Sequence, residues 1–152
     1  MLYLATLNNS TVAFNREGSK YASGVMFGDS GDIDMQSSII AMNTTIGNST
    51  GIDFRSGTSA IVTGSHNLVR ASASTLPADT LHGDPLLVAL ADNGGATRTH
   101  ALQAASPAID AGNNTVPLTY DQRGTGFRRV AHDVADIGAY EFDDTIFVDG
   151  FD

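Results

Sequence analysis

Short stretches of alternating apolar and polar residues recur at nearly constant spacing in the first half of the chain. Residues 24–27 match residues 51–54 at an offset of 27 positions, and an offset of 28 aligns residues 9–15 with residues 37–43. Alternation with a period of two is typical of β-strands that bury one face. The expected inward columns are Val25 with Ile52, Phe27 with Phe54, Ile33 with Ala60, Met35 with Val62, Val12 with Ile40 and Asn67, and Phe14 with Met42 and Val69.

Three short strands per segment, separated by bends rich in Gly, Asn and Asp, describe one rung of a parallel β-helix of about 27 residues per rung. A single rung cannot bury its own apolar face, whereas stacked rungs share a core and pair their backbone groups. Asn15 and Asn43 fall at the same bend, so we expect an asparagine ladder there. The sequence therefore predicts an all-β fold with parallel rungs in residues 1–80. A β-sandwich with accidental similarity between segments is the alternative.

A denser series of turn motifs replaces this pattern from Leu81 onward. The motifs are HGDPLL (82–87), ADNGGATRTHAL (91–102), SPAIDAG (106–112), DQRG (121–124) and DIGAYEF (136–142). Together they resemble the C-terminal region of bacterial right-handed parallel β-helix proteins of the pectin-lyase-like type, known as choice-of-anchor Q domain proteins. The likeness covers residues 64–142.

This resemblance implies a right-handed β-helix that is secreted or displayed on the surface of a Gram-negative bacterium, and it implies no established reaction. Residues 81–142 would then form the last rungs and a loop-rich C-terminal cap. Residues 143–152 resemble the short acidic-aromatic tails that end many exported gammaproteobacterial proteins; an edge strand or a disordered terminus is the alternative. The start of the chain lacks the features of a signal peptide, so we expect the export signal and further rungs upstream.

Charge and composition narrow the range of functions. Charged residues make up only 16% of the chain, which does not suit a helical bundle. The net charge is −9, of which residues 1–70 contribute −1 and residues 71–152 contribute −8. An acidic half of this kind repels phosphate backbones, so no nucleic-acid partner is expected. The chain has no cysteine and no apolar stretch of the ~20 residues that cross a membrane.

Charged residues of the turn motifs are candidates for fixing the cap. Carboxylates pair well with the planar guanidinium group of arginine. We hypothesise that Arg123 is clamped by one or more nearby acids and so holds the cap in place; separate surface charges are the alternative. The candidate cap residues are Asp110, Asp121, Arg123, Asp136 and Glu141.

Candidates for catalysis or metal binding are sparse. None of the four histidines has the spacing of a known metal motif, and His66, with Asp53, is only a weak catalytic candidate on an expected groove. The acidic turn that contains Asp29, Asp32 and Asp34 superficially resembles a calcium loop but lacks the terminal bidentate acid of an EF-hand. A second oxygen-rich set comprises Asp110, Asn113, Asn114 and Asp121.

The sequence favours a non-catalytic, exported β-solenoid that serves display, adhesion or surface interaction. The alternative is a carbohydrate-active or metal-assisted hydrolase or lyase of the parallel β-helix type. No cofactor is expected, although calcium or another divalent cation is compatible with the acidic turns. The expected partners are a carbohydrate or a cell-surface component, and a second copy bound through an exposed solenoid edge.

Overall fold

The regular secondary structure is entirely β in the computed structural model, which describes residues 4–18, 24–46 and 51–144. The predicted tail at 143–152 lies outside the described residues except for Asp143 and Asp144. The strands are β1 (Leu4–Asn8), β2 (Thr11–Ala13), β3 (Arg16–Glu17), β4 (Val25–Phe27), β5 (Ser30–Gln36), β6 (Ile39–Ala41), β7 (Thr44–Thr45), β8 (Phe54–Ser56), β9 (Ser59–Ser65) and β10 (Leu68–Val69).

Strands β1 to β6 each pair in parallel with the strand one segment later along the chain. The sheets are β1-β5-β9, β2-β6-β10, β3-β7 and β4-β8. We call β1–β4 the first layer, β5–β8 the second and β9–β10 the third. The prediction of an all-β fold with parallel sheets is confirmed.

The predicted offset between paired residues is correct for β2 with β6 but wrong for β5 with β9 and for β4 with β8. Val12 lies beside Ile40, as expected from the offset of 28. Between the second and third layers the offset is 29 rather than 27, so Ile33 lies beside Val62 instead of Ala60. The β4 strand is also displaced by two positions, because Val25 pairs with Phe54 instead of Ile52. A shift of two residues leaves every side chain on the same face, so the alternation alone could not detect the error.

At the bends, the predicted contact between Asn15 and Asn43 is present, whereas the predicted orientation of Phe14 is wrong. Asn15 donates two hydrogen bonds to Asn43 Oδ1, from its backbone nitrogen at 3.0 Å and its side-chain nitrogen at 2.9 Å. This is the ladder expected from the sequence. Phe14, in contrast, was expected to point inward, but it lies at a bend with a φ of 56° and is 46% exposed. The left-handed backbone turns its side chain out of the strand alternation.

The core has two parts that meet at β6. Between the sheets lies an inner cluster of Ile33, Met35, Ile40, Phe54 and Val69. On the outer side of β6, Ile39 and Ala41 belong to a second cluster, which includes Leu68 and residues from the second half of the chain. All three residues of β6 are therefore buried, on both faces of the strand.

Residues 81–142, which we call the wrap, provide the cover for this outer face. Leu87, Leu102, Ala108 and Ile137 pack in the outer cluster. The wrap forms isolated bridges but no named strand, and it contacts all three layers. Gly138 shows how close the approach is: its backbone nitrogen donates to Ser37 O at 2.8 Å, and a Cβ atom there would lie 2.8 Å from Ile39 Cδ1. The wrap thus packs against the outer face of β6.

Residues 70–81 pair with β8 and β10, whereas β9 remains an edge strand in the described structure. Ala71 O accepts hydrogen bonds from the backbone of Asp53 and Phe54, and Leu81 forms a parallel bridge with Leu68. Leu76 packs against the inner cluster. Residues 70–81 thus cover the core beside β8 and β10.

If the wrap is packed on β6, truncating the outward side chain of this strand should destabilise the protein. We expect Ile39→Ala to lower the free energy of unfolding by about 2–4 kcal/mol, because it removes buried methyl groups and leaves a cavity. Ile61→Ala, on the exposed side of β9, should change it by less than about 0.5 kcal/mol. Denaturant unfolding measures both, and equal effects would contradict the packing of the wrap on this face.

Candidate functional site

Arg123 is the centre of a buried cluster in the wrap. It contacts Asp121 twice through side-chain nitrogens, with Nη2 at 2.7 Å and Nε at 2.9 Å from Oδ2. Nη2 also donates to the backbone oxygen of Glu141 at 2.6 Å. The guanidinium group lies between the rings of Phe127 and Tyr140, 4.1 and 3.9 Å from their centroids. Ion pairing and stacking on both faces thus join residues 121–127 to residues 140–141.

A second buried arginine, Arg129, was not identified from the sequence. It is 1% exposed, and its Nη2 donates to Asp136 O at 2.6 Å and to Asn9 Oδ1 at 3.1 Å. The contact with Asn9 connects the wrap to the first layer. Its Nη1 lies 3.7 Å from Glu141 Oε2. Nothing in the sequence distinguished Arg129 from the adjacent Arg128, which is exposed.

The acids around Arg129 mainly bind backbone nitrogens. The Glu141 carboxylate accepts hydrogen bonds from the backbone of Ala131 and Asp136, each at 2.9 Å. The Asp136 carboxylate accepts them from Asp110 and Phe142. Asp110 donates this hydrogen bond through its backbone nitrogen, and the residue itself is exposed. The structure therefore brings Asp121, Arg123, Asp136 and Glu141 together and leaves the Asp110 side chain outside.

Burial controls the ionisation of this cluster. It raises the pKa of Glu141 from 4.5 to about 7, although two backbone donors and Arg129 act in the opposite direction. Burial also raises the pKa of Asp136 and lowers the pKa of Arg129. The cause is the same in each case, since a charged group loses hydration when it is buried.

The two weak catalytic candidates lie at different bends. Asp53 is fully buried and accepts hydrogen bonds from Asn43 N at 2.8 Å and from Arg70 Nε at 3.0 Å. His66 is exposed, and Asp79 accepts its backbone N–H at 2.8 Å. Neither residue has the other among its contacts. The structure thus gives Asp53 the geometry of a structural acceptor and does not form an acid–base pair with His66.

The carboxylates of the predicted cation-binding turn, Asp29, Asp32 and Asp34, do not form a common group in the described structure. Asp29 lies in the exposed bend before β5, whereas Asp32 and Asp34 lie on the outer face of that strand. Asp34 Oδ1 accepts a hydrogen bond from Thr63 Oγ1 at 3.0 Å. Among the described residues, the only group of three metal-type side chains close enough to share an ion is His132, Asp143 and Asp144.

The residues of the second oxygen-rich set (Asp110, Asn113, Asn114 and Asp121) make separate local hydrogen bonds. Asn114 closes a loop with Leu118 through two bonds, at 3.0 and 3.1 Å. Asn113 exchanges backbone hydrogen bonds with the Ser37 hydroxyl group. Asp121 is occupied by Arg123, as described above. These oxygens therefore support loops rather than a common binding centre.

The outer face of the β1-β5-β9 sheet carries mostly polar side chains, together with the exposed Leu4 and Ile61. Its side chains form cross-strand rows, which strand register and alternation define. The rows are Asn8-Gln36-Ser65, Thr6-Asp34-Thr63 and Leu4-Asp32-Ile61. Within the first row, Ser65 Oγ donates to Gln36 Oε1 at 2.9 Å, so these two side chains hold each other in place.

Comparisons with protein-family models, with curated proteins and with solved structures find no match for this chain. Within residues 4–18, 24–46 and 51–144, no helix has the length and apolar character needed to cross a bilayer.

The Arg123 cluster should make a large contribution to stability. Arg123→Ala would leave the Asp121 carboxylate buried without its cation, and we expect it to lower the free energy of unfolding by about 3–5 kcal/mol. Arg123→Lys should recover only part of this loss, because lysine lacks the bidentate and stacking geometry. Denaturant unfolding tests both variants, with the exposed Arg98→Ala as control. Equal stability of Arg123→Ala and Arg98→Ala would exclude the clamp.

Glu141 should make stability depend on pH. Its folded-state pKa of about 7 exceeds the ordinary value of 4.5, so between these values the folded state binds the proton more strongly. The contribution of Glu141 to the free energy of unfolding should therefore decrease as pH rises from 4.5 to 7. Glu141→Gln, which cannot titrate, should flatten this part of the profile.

The control for the pH measurement is Asp133→Asn, which removes an exposed carboxyl group from the same segment. We expect its stability profile to follow that of the unaltered protein. An unchanged slope in Glu141→Gln, measured by unfolding at a series of pH values, would show that Glu141 is not the group responsible.

Proposed function

We propose that the chain is part of a right-handed parallel β-helix that acts as a non-catalytic scaffold for display, adhesion or surface interaction. The observation that carries the architecture is the parallel pairing of four different strand positions with the strand 28 or 29 residues later. Export to the surface of a Gram-negative bacterium is part of the same proposal. It rests on the resemblance of residues 64–142 to choice-of-anchor Q domain proteins.

The positions of the acids support a scaffold rather than an enzyme. Glycoside hydrolysis needs two carboxyl groups that face the same substrate bond. Asp53 and Asp121 are instead paired with Arg70 and Arg123, and Glu141 binds backbone nitrogens. These carboxylates stabilise bends and the wrap.

The outer face of the β1-β5-β9 sheet is the surface that we assign to the partner, which is a carbohydrate or another hydroxyl-rich cell-surface component. Its amide, hydroxyl and carboxylate groups match the hydrogen-bonding groups of sugars. The Thr63–Asp34 and Ser65–Gln36 bonds fix these side chains in advance, which reduces the entropy lost on binding. The strands hold the groups in rows at about 4.8 Å spacing, a repeat that an extended polymer can follow.

This assignment predicts that polysaccharide binding depends on the centre of the face. Replacing Asp34 and Thr63 together by alanine should weaken binding to a neutral polysaccharide by about tenfold or more, since two or more hydrogen bonds are lost. A glycan array followed by calorimetry on the best polysaccharide would measure the change. The control is Thr119→Ala, an exposed threonine in the wrap.

Two results would contradict the proposal. One is the absence of binding to any polysaccharide or to isolated bacterial surface material. The other is turnover of a polysaccharide by the purified chain that is lost in the exposed variant His66→Ala while the fold is retained, because this would establish a hydrolase or lyase.

A further inference from the structure

The outer face of the β1-β5-β9 sheet carries negative charge and no cation of its own. The middle strand, β5, places Asp32 and Asp34 on this face, two residues apart. The other outward positions in the register of the three described strands hold only Leu, Ile, Ser, Thr, Asn and Gln. A surface with carboxylates and no basic side chain complements a ligand that bears positive charge.

Asp32 is the carboxylate that is most available to such a ligand. Its side chain has no hydrogen bond or ion pair within the described part of the chain, whereas Asp34 Oδ1 already accepts a hydrogen bond from Thr63 Oγ1 at 3.0 Å. Both residues are partly exposed. They lie about 6.6 Å apart along the strand, so an extended ligand can present a separate cation to each of them.

The neighbours of Asp32 favour a sugar ring over a small cation. Leu4 and Ile61 lie beside Asp32 in one cross-strand row, and they are 72% and 59% exposed. Their apolar side chains can cover the C–H face of a ring, and the loss of water there strengthens the attraction between a carboxylate and an ammonium group. Hydroxyl groups for the ring substituents come from Thr6 and Thr63 in the next row.

A metal ion fits this face less well. Among the described residues, no third metal-type side chain lies close enough to Asp32 and Asp34 to share an ion with them. Two carboxylates alone leave most of the ligand positions of a divalent cation unfilled. The charge of the face is therefore better matched by ammonium groups that are carried on a larger molecule.

We propose that this face binds a polysaccharide with free amino groups, such as a polymer of glucosamine. The inference rests on the proposed function, because it names the class of sugar for the surface already assigned to a partner. The ammonium groups pair with Asp32 and Asp34, while the hydroxyl and amide side chains of the face bind the sugar hydroxyls. The same two carboxylates repel an acidic polysaccharide.

Titration calorimetry of the whole chain with two matched oligosaccharides tests the proposal. One is a β-1,4-linked glucosamine oligosaccharide with its amino groups protonated, and the other is its N-acetylated counterpart, which has the same backbone and no charge. The glucosamine oligosaccharide should bind about fivefold more tightly or better, because it adds ion pairs at partly exposed carboxylates. This difference should shrink as the salt concentration rises, since salt screens such charges.

The variants assign the difference to the face. Asp32→Asn keeps the shape and an acceptor oxygen but removes the charge, so it should reduce the ratio of the two association constants by about threefold. Asp32→Asn combined with Asp34→Asn should bring the ratio close to one. The matched control is Asp133→Asn, which removes one exposed carboxylate from the wrap and changes the net charge equally. It should leave the ratio unchanged.

Equal binding of the two oligosaccharides would overturn the proposal and leave the proposed function standing, since that function requires only that a polysaccharide binds. Binding to no polysaccharide would overturn both. An equal fall of the ratio in Asp133→Asn would attribute the preference to net charge and would also overturn the proposal. Poly-L-lysine carries amino groups without sugar hydroxyls. If it bound as tightly as the glucosamine oligosaccharide and depended equally on Asp32, the face would belong to a basic peptide instead.

Discussion

The burial of β6 on both faces is the constraint on which the rest of this structure depends. Ile40 points into the inner cluster, while Ile39 and Ala41 point outward and need a second cover. The neighbouring strands cannot supply it, because Thr11 and Leu68 lie beside Ile39 on the same face of the sheet rather than over it. The wrap supplies it from the second half of the chain. Consequently the wrap forms part of the hydrophobic core.

A cover without strands must satisfy its backbone groups in another way, and this explains the buried acids. Backbone N–H groups that are hidden from water need an acceptor. Asp121, Asp136 and Glu141 each accept at least one such group while they are almost fully buried. Arg123 and Arg129 then offset the negative charge that these acceptors bring. The polar cluster therefore replaces the regular hydrogen bonding that a sheet would have provided.

The local pattern of apolar and polar residues predicted much of the strand structure in residues 4–69 and little of the structure of the wrap. The alternation identified the inward faces of the strands but not the outward orientation of Phe14 at its bend, and the Asn15–Asn43 pair was predicted because two equal residues recur at one bend. The register was missed at two steps, since an apolar period of two cannot detect a shift of two. The run Ile39–Ile40–Ala41 contains no polar residue, which is the signal of a strand buried on both faces. The clamp on Arg123 followed from residue type, whereas the role of Arg129 depends on contacts across 120 residues, with Asn9.

The same need for backbone acceptors accounts for the buried acids of the second half, Asp121, Asp136 and Glu141. An excess of carboxylates commonly suggests a bound cation, but the buried ones here already have donors from the backbone and from two arginines. The raised pKa of Glu141 is then a product of burial rather than of reactivity, and the two oxygens of its carboxylate bind backbone nitrogens of two separate turns. A raised pKa marks reactive groups only when the group faces a space that a substrate can enter. Glu141 faces the interior of the wrap, so its perturbed pKa is a consequence of how the fold is closed.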